Sequence, residues 1–258
     1  ILWKRVDSTG NWQVFDAMRG LTVSNTSLAL FPNLSDVEEV GYNIKPTATG
    51  FTNGANASAT YIYIAIRRGP MKTPTDGTKV FSPQYSTSGT GTKLTTNFPV
   101  DLQISRPTSG GNDTYDVHRL RGVATTTSST NSPFISPNKT NAETSSTTLT
   151  RYWDNVGFQV PSLYNAGDNY IYWNFGRAPG FFDVVCYTGD DNSTRTLAHN
   201  LGVQPQLMIF KKRSSVKNWE VAVTDGSTNY NFLRLNLTNA LYATQAQSSI
   251  ASSSVIKI

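Results

Sequence analysis

Tyr170-Ile171-Tyr172-Trp173-Asn174-Phe175-Gly176-Arg177-Ala178-Pro179-Gly180 alternates large side chains over six residues and then breaks at Gly, Arg, Pro and Gly. Alternation of that kind predicts a β-strand, and the breakers end it. The same design stands earlier as Tyr61-Ile62-Tyr63-Ile64-Ala65-Ile66-Arg67-Arg68-Gly69-Pro70. Tyr61 and Tyr170 are 109 positions apart, as are Arg68 and Arg177, and Pro70 and Pro179. A repeat at the length of a small domain marks the chain as an array.

Working outward, Leu2-Trp3-Lys4-Arg5-Val6 and Asn11-Trp12-Gln13-Val14 match Ile209-Phe210-Lys211-Lys212-Arg213 and Asn218-Trp219-Glu220-Val221 at a constant offset of 207. A middle copy falls about halfway, as Leu102-Gln103-Ile104, a Gly-rich turn and Tyr115-Asp116-Val117, with Tyr115 in the place of Trp12 and Trp219. Each copy then reaches a glycine (Gly20, Gly122, Gly226), a further strand and an Asn-rich turn near Asn33, Asn138 and Asn236. A fourth element is read as Val40–Ile44, Val156–Val160 and Ser254–Ile258. The strand ahead of the set repeats at an offset of 103, Lys93–Val100 matching Thr196–Val203.

In order, a copy holds a leading strand (Phe182–Tyr187 in the last), the His199 strand, the Met208 strand, the Trp219 strand, the Leu233 strand, the Val156–Val160 type strand and the Tyr-Ile-Tyr strand. Seven short strands joined by polar turns in about 105 residues predict an all-β chain of tandem antiparallel β-sandwich modules. The expected modules are 1–77, lacking its leading strands, 78–179, complete, and 180–258, lacking its final strand. A sandwich short of an outer strand exposes an edge that pairs with another chain or with a flanking segment. No stretch sustains a helical apolar period; Ser35–Val40 is the one candidate for a helical turn. Ile1 is not an initiator methionine, so a longer or processed protein is expected.

Composition agrees. Charged residues are 15% of the 258, and aromatics 11%, enough for packed cores. The net charge of +5 is thinly spread, with one cluster at Lys211-Lys212-Arg213 and no aromatic RNA-binding signature, so nucleic acid is not the expected partner. No apolar run reaches the roughly 18 residues of a membrane span, so no membrane insertion is expected. Cys186 is alone, which excludes an intrachain disulfide, and its apolar run predicts a buried strand thiol.

Residues 7–20 (DSTGNWQVFDAMRG), 59–70 (ATYIYIAIRRGP), 169–189 (NYIYWNFGRAPGFFDVVCYTG) and 196–221 (TLAHNLGVQPQLMIFKKRSSVKNWEV) resemble a repeat module widespread in structural proteins of tailed bacteriophages, especially marine ones. The resemblance covers nearly the whole chain. It implies a virion protein on the particle surface, most simply a tail fibre or spike, with homo-oligomerisation, other virion proteins as partners and a host surface glycan as ligand. A capsid decoration protein or a glycan-degrading tail depolymerase is the alternative. The module brings no catalytic residues with it.

The residues themselves point the same way. His118 and His199 occupy no shared position, and no Gly-x-Ser-x-Gly, His-Glu-x-x-His or Walker loop is present, so no enzyme and no cofactor are expected. Asp190-Asp191-Asn192 falls short of a calcium ligand set, and Asp154 with Asp183 is a glycosidase pair only on paper. Trp12, Tyr115 and Trp219 are the candidate surface for sugar stacking, although their recurrence argues first for a core role. Arg68 and Arg177, each followed by Pro, are placed to bridge one module to the next. The N-x-S/T triplets at Asn25, Asn56 and Asn192 carry no expectation of a glycan.

Overall fold

The computed structural model describes residues 1–17, 19, 21, 27–47, 50–54, 58–66, 72–87, 92–109, 111–122, 132–146, 153–160, 169–190, 195–224, 226, 229–246 and 250–257. Gly20, Asn25, Asn56, Arg68, Pro70, Asp191, Asn192 and Ile258 lie outside them. The chain is all-β, with antiparallel pairing throughout and no helix of seven residues or more among the described residues.

In the first repeat, β1 (Leu2–Arg5) lies between β2 (Trp12–Val14) and β7 (Tyr61–Ile64), with β3 (Ser27–Ala29) against β4 (Glu39–Tyr42) and β5 (Ile44–Pro46) against β6 (Phe51–Asn53). In the middle repeat, β8 (Phe81–Ser86), β10 (Leu102–Pro107), β11 (Tyr115–His118) and β15 (Tyr170–Phe175) form a four-stranded sheet in the order β11-β10-β15-β8. Beside it stand the pairs β9 (Lys93–Thr95) with β14 (Gly157–Gln159) and β12 (Ser132–Phe134) with β13 (Thr144–Ser146). In the last repeat, β17 (Leu207–Phe210), β18 (Glu220–Thr224), β19 (Asn229–Arg234) and β20 (Ala243–Ala246) follow one another in one sheet, and β16 (Thr196–Ala198) pairs with β21 (Val255–Lys257).

Strand pairing follows the sequence offsets. Leu2 faces Val14 and Ile64; 102 residues later Ile104 faces Asp116 and, at the 109 offset, Trp173. Val14, Asp116 and Val221 then face Leu30, Ile135 and Leu233. Alternation along β15 buries Tyr170, Tyr172 and Asn174 while the residues between them stay half-buried. The Tyr side chains enter a core with Phe98, Val100, Val117, Trp153, Phe158 and Val160, drawn from the sheet and from the neighbouring pairs. Two further cores gather around Trp3, Phe15 and Ile44, and around Met208, Ala222 and Tyr230. Gly122 and Gly226 both sit at positive φ (99° and 81°), which explains glycine at those two shared positions.

Four sequence expectations differ from the structure. Val40–Ile44 is not the counterpart of Val156–Val160, because Val40 faces Leu28 in the β3–β4 hairpin, as β13 faces β12. The counterpart is Gly50-Phe51: the Pro46–Phe51, Trp153–Phe158 and Ala251–Ile256 pairs are each closed by one backbone bond, from Thr47, Asp154 and Ser252 to Gly50, Gly157 and Val255. Ser35–Glu38 is irregular rather than helical and leads into β4. Tyr115 does not replace Trp12; the register puts Thr114 there. Phe182–Tyr187 forms no strand and makes a single bridge, Phe182 to Ala178. Its counterpart β8 is held by β15, and among the described residues no strand pairs with Phe182–Tyr187.

Candidate functional site: the joint between the middle and last repeats

Each repeat carries an asparagine that fastens a turn to the start of the Trp-type strand. Asn33, Asn138 and Asn236 accept, through Oδ1, the backbone N–H of Trp12, Thr114 and Trp219 at 2.9, 3.1 and 2.9 Å. Their Nδ2 groups donate to Oδ1 of Asn11, Asp113 and Asn218 at 3.0, 3.1 and 2.9 Å. The turn itself is closed from Leu34 to Phe31, from Lys139 to Ser136 and from Leu237 to Arg234. Asparagine suits the post because one short amide supplies both an acceptor and a donor.

This turn in the middle repeat, Ser136–Glu143, is gripped by the β17–β18 finger of the last repeat, Lys211–Trp219. The Trp219 indole N–H lies 3.1 Å from the carbonyls of both Ser136 and Lys139, and Trp219 is only 5% exposed. Lys211 Nζ donates to Thr140 O (3.1 Å) and Lys217 O (2.9 Å), and Lys217 N–H also donates to Thr140 O (2.9 Å). Glu143 N–H donates to Arg213 O (2.8 Å), and the Arg213 guanidinium returns two bonds to the Glu143 carboxylate at 2.7 and 2.9 Å. A planar fork on a carboxylate fixes orientation as well as distance.

Behind Glu143 lies Arg121, fully buried, which donates to Glu143 at 3.1 Å and to the Asp116 carboxylate. Burial pushes the Glu143 carboxyl up, but the hydrogen bonds from Arg213 and the charge of Arg121 outweigh it and hold its pKa below the usual range. His118 Nδ1 is shielded from solvent. Burial, and then the positive charges of Arg121, Arg213 and Arg177, push its pKa well down, so the ring is neutral. Burial also raises the Cys186 thiol pKa; this half-buried thiol lies outside any strand. Arg177 stands between the repeats as expected, with its N–H on Asp101 at 2.7 Å and its guanidinium between Asp101 (3.6 Å) and Asp183 (3.9 Å).

The three aromatic candidates are therefore not alike. Trp219 is buried at the joint rather than inside its own repeat's core. Tyr115 is half-buried and packs edge-on against Phe134, ring centroids 5.4 Å apart. Trp12, at Trp219's position, is 36% exposed. Lys211 and Arg213, the densest basic cluster of the sequence, are spent on Thr140 and Glu143.

Residues 83–258 match the family described as "Domain of unknown function (DUF7483)". The chain belongs to the DUF7483 family. No curated protein and no solved structure matches it. The DUF7483 region spans most of the middle repeat and the whole of the last, so the joint lies well inside it.

The remaining polar candidates in the DUF7483 region serve local structure. His199 Nδ1 accepts the Leu201 N–H at 3.2 Å and its Nε2 reaches Ser252 O at 3.1 Å, which holds a turn matching the one that Thr96 holds in the middle repeat through Phe98 O. Asp154 accepts the Val156 N–H within its hairpin and pairs with Lys93. Asp183 accepts both N–H groups of Asn200 and the N–H of Val184. Asp190 pairs with Arg195 at 3.3 Å. Among the described residues no group of three or more His, Cys, Asp or Glu is placed to hold a metal ion, and no helix is long and apolar enough to cross a membrane. The joint itself was missed by sequence reasoning: the Asn33/Asn138/Asn236 positions were visible, but nothing in sequence says that Trp219 reaches back into the preceding repeat.

Proposed function

We propose that this chain is a non-enzymatic structural protein of a bacteriophage particle, built of tandem β-sandwich modules over 1–77, 78–179 and 180–258 and exposed as part of a tail fibre or spike. The joint carries this reading. A finger and a turn locked by Trp219, Lys211 and an Arg121–Glu143–Arg213 chain rooted in the buried Arg121 make a stiff connection between repeats, as a rod requires. Asp154, Asp183, Asp190 and His199, which an enzyme would use, are committed to local structure, and the sequence is low in charge. The phage assignment itself comes from the sequence resemblance, and partner virion proteins and a host glycan follow from it.

Immuno-electron microscopy of virions with antibody to this chain tests the proposal. Label on tail appendages supports it; label on the capsid shell makes this a decoration protein, and unlabelled particles reject a virion role. Release of reducing sugar from host polysaccharide by the purified chain would instead make it a depolymerase.

A further inference from the structure

The joint has two halves: the finger recurs with its Trp in the first repeat, and the turn recurs with exposed apolar side chains in the first and last repeats. The finger recurs in the first repeat as Lys4–Trp12. Lys4 Nζ donates to Gly10 O as Lys211 donates to Lys217 O, and Asn33 holds Trp12 as Asn236 holds Trp219. The turn recurs in the last repeat as Arg234–Tyr242, closed by the same bond from Leu237 to Arg234. Its Leu235, Leu237, Leu241 and Tyr242 are all exposed, Leu237 at 42%.

We infer that the Lys4–Trp12 finger of one chain docks on the Arg234–Tyr242 turn of a second copy, joining chains head to tail as the middle and last repeats are joined within one chain. The Trp12 indole N–H then donates to the carbonyls of Arg234 and Leu237, in the positions of Ser136 and Lys139. Lys4 reaches Thr238 O as Lys211 reaches Thr140 O.

The substitutions between the two joints are matched. Where the internal joint has Arg213 on the finger and Glu143 on the turn, the open finger has Val6 and the open turn has Tyr242, the residue before β20 as Glu143 is the residue before β13. Both are exposed, at 49% and 48%. An ion pair is thus exchanged for a pair without formal charge, Val6 against a Tyr242 whose hydroxyl donates to Glu220 and whose ring lies 4.9 Å from the Arg234 guanidinium. The middle repeat supplies the contrast: its finger has Thr114 in place of the Trp, and the first repeat's turn keeps Leu34 and Val37 exposed. A finger in one repeat and a turn in a different repeat form a heterologous contact, which closes into a ring or propagates as a filament. The inference goes beyond the particle assignment and stands without it.

Sedimentation velocity across the micromolar range tests it, using the parent chain, Trp12→Ala, Leu237→Glu and an equimolar mixture of the two variants. Both side chains are exposed, so both variants keep the parent's melting temperature. The parent associates with rising concentration, and each variant alone does so about tenfold or more weakly, the loss expected of a central aromatic anchor. The mixture forms one-to-one dimers and goes no further, because one intact finger and one intact turn remain. A parent that stays monomeric, variants that assemble like the parent, or a mixture that fails to dimerise overturns the inference. So does a Trp12→Ala chain that loses only glycan binding.

Discussion

Gln103 and Asn174 meet across β10 and β15, Nε2 2.7 Å from Oδ1, and both side chains are fully buried. Asn174 Nδ2 goes on to Ser82 O of β8 at 2.9 Å, so one amide chain stitches three strands of the middle sheet. Asn174→Leu takes from the buried Gln103 amide its Oδ1 acceptor, at a cost of about 1–3 kcal/mol. The double change Gln103→Leu with Asn174→Leu is expected to cost less than the sum of the two single changes. Urea titration of the four proteins checks this; simple additivity would show that the two amides are not coupled.

Trp219 and Trp12 share a repeat position but not an environment. Trp219→Ala empties a buried site and removes the indole N–H from the Ser136 and Lys139 carbonyls, so about 3–5 kcal/mol is expected. Trp219→Phe keeps most of the packing and loses the N–H, so it falls between the alanine variant and the parent. Trp12→Ala leaves the stability of the isolated chain within about 0.5 kcal/mol. Thermal melts at a concentration where the chain is monomeric decide; equal shifts for the two alanine variants would mean that Trp219 is not a joint residue.

His118 makes folding sensitive to mild acid. Its folded pKa lies well below its unfolded value near 6.5, so below that pH the unfolded chain takes up a proton that the folded chain refuses. Stability is therefore unaffected above about pH 7 and declines as the pH falls through about 6.5 towards the folded pKa. His118→Asn is expected to flatten the melting temperature between about pH 7 and 5. An unchanged slope refutes the assignment.

Glu143 acts lower on the scale. Its folded pKa is depressed, so its contribution is complete above the unfolded value of about 4.3 and is lost as the pH falls through the folded pKa. Glu143→Gln removes that acid dependence and leaves Arg121 buried without this carboxylate, which is expected to cost about 3–5 kcal/mol at neutral pH. Chemical denaturation at neutral and acid pH measures both effects.

The strands that sequence made legible were those whose pattern is repeated: the Trp-type hairpins, β15, and the β9–β14 and β16–β21 pairs all fall where the offsets put them. The misreadings arose where periodicity is silent about pairing. Val40–Tyr42 looks like Gly157–Gln159 in composition, yet β3 claims it, and Gly50-Phe51 was too short to stand out. Phe182–Tyr187 has the side chains of a strand, but a strand exists only by its neighbour. Thr114 was hidden behind Tyr115 because an aromatic residue one position away imitates the repeat and only the register separates them. The joint was illegible for the same reason: Trp219's bonds run to backbone carbonyls some eighty residues away, and a carbonyl leaves no mark in a sequence.

The asparagine that recurs at 33, 138 and 236 fastens the turn to a backbone N–H and asks of the side chains around it only one Asn or Asp oxygen, from residue 11, 113 or 218. The turns it closes read Phe-Pro-Asn-Leu, Ser-Pro-Asn-Lys and Arg-Leu-Asn-Leu, and they keep one shape through three chemistries. Shape and surface are thereby inherited separately. A lineage can rewrite what such a turn shows to its surroundings, from basic to greasy to neutral, without renegotiating how the backbone folds beneath it.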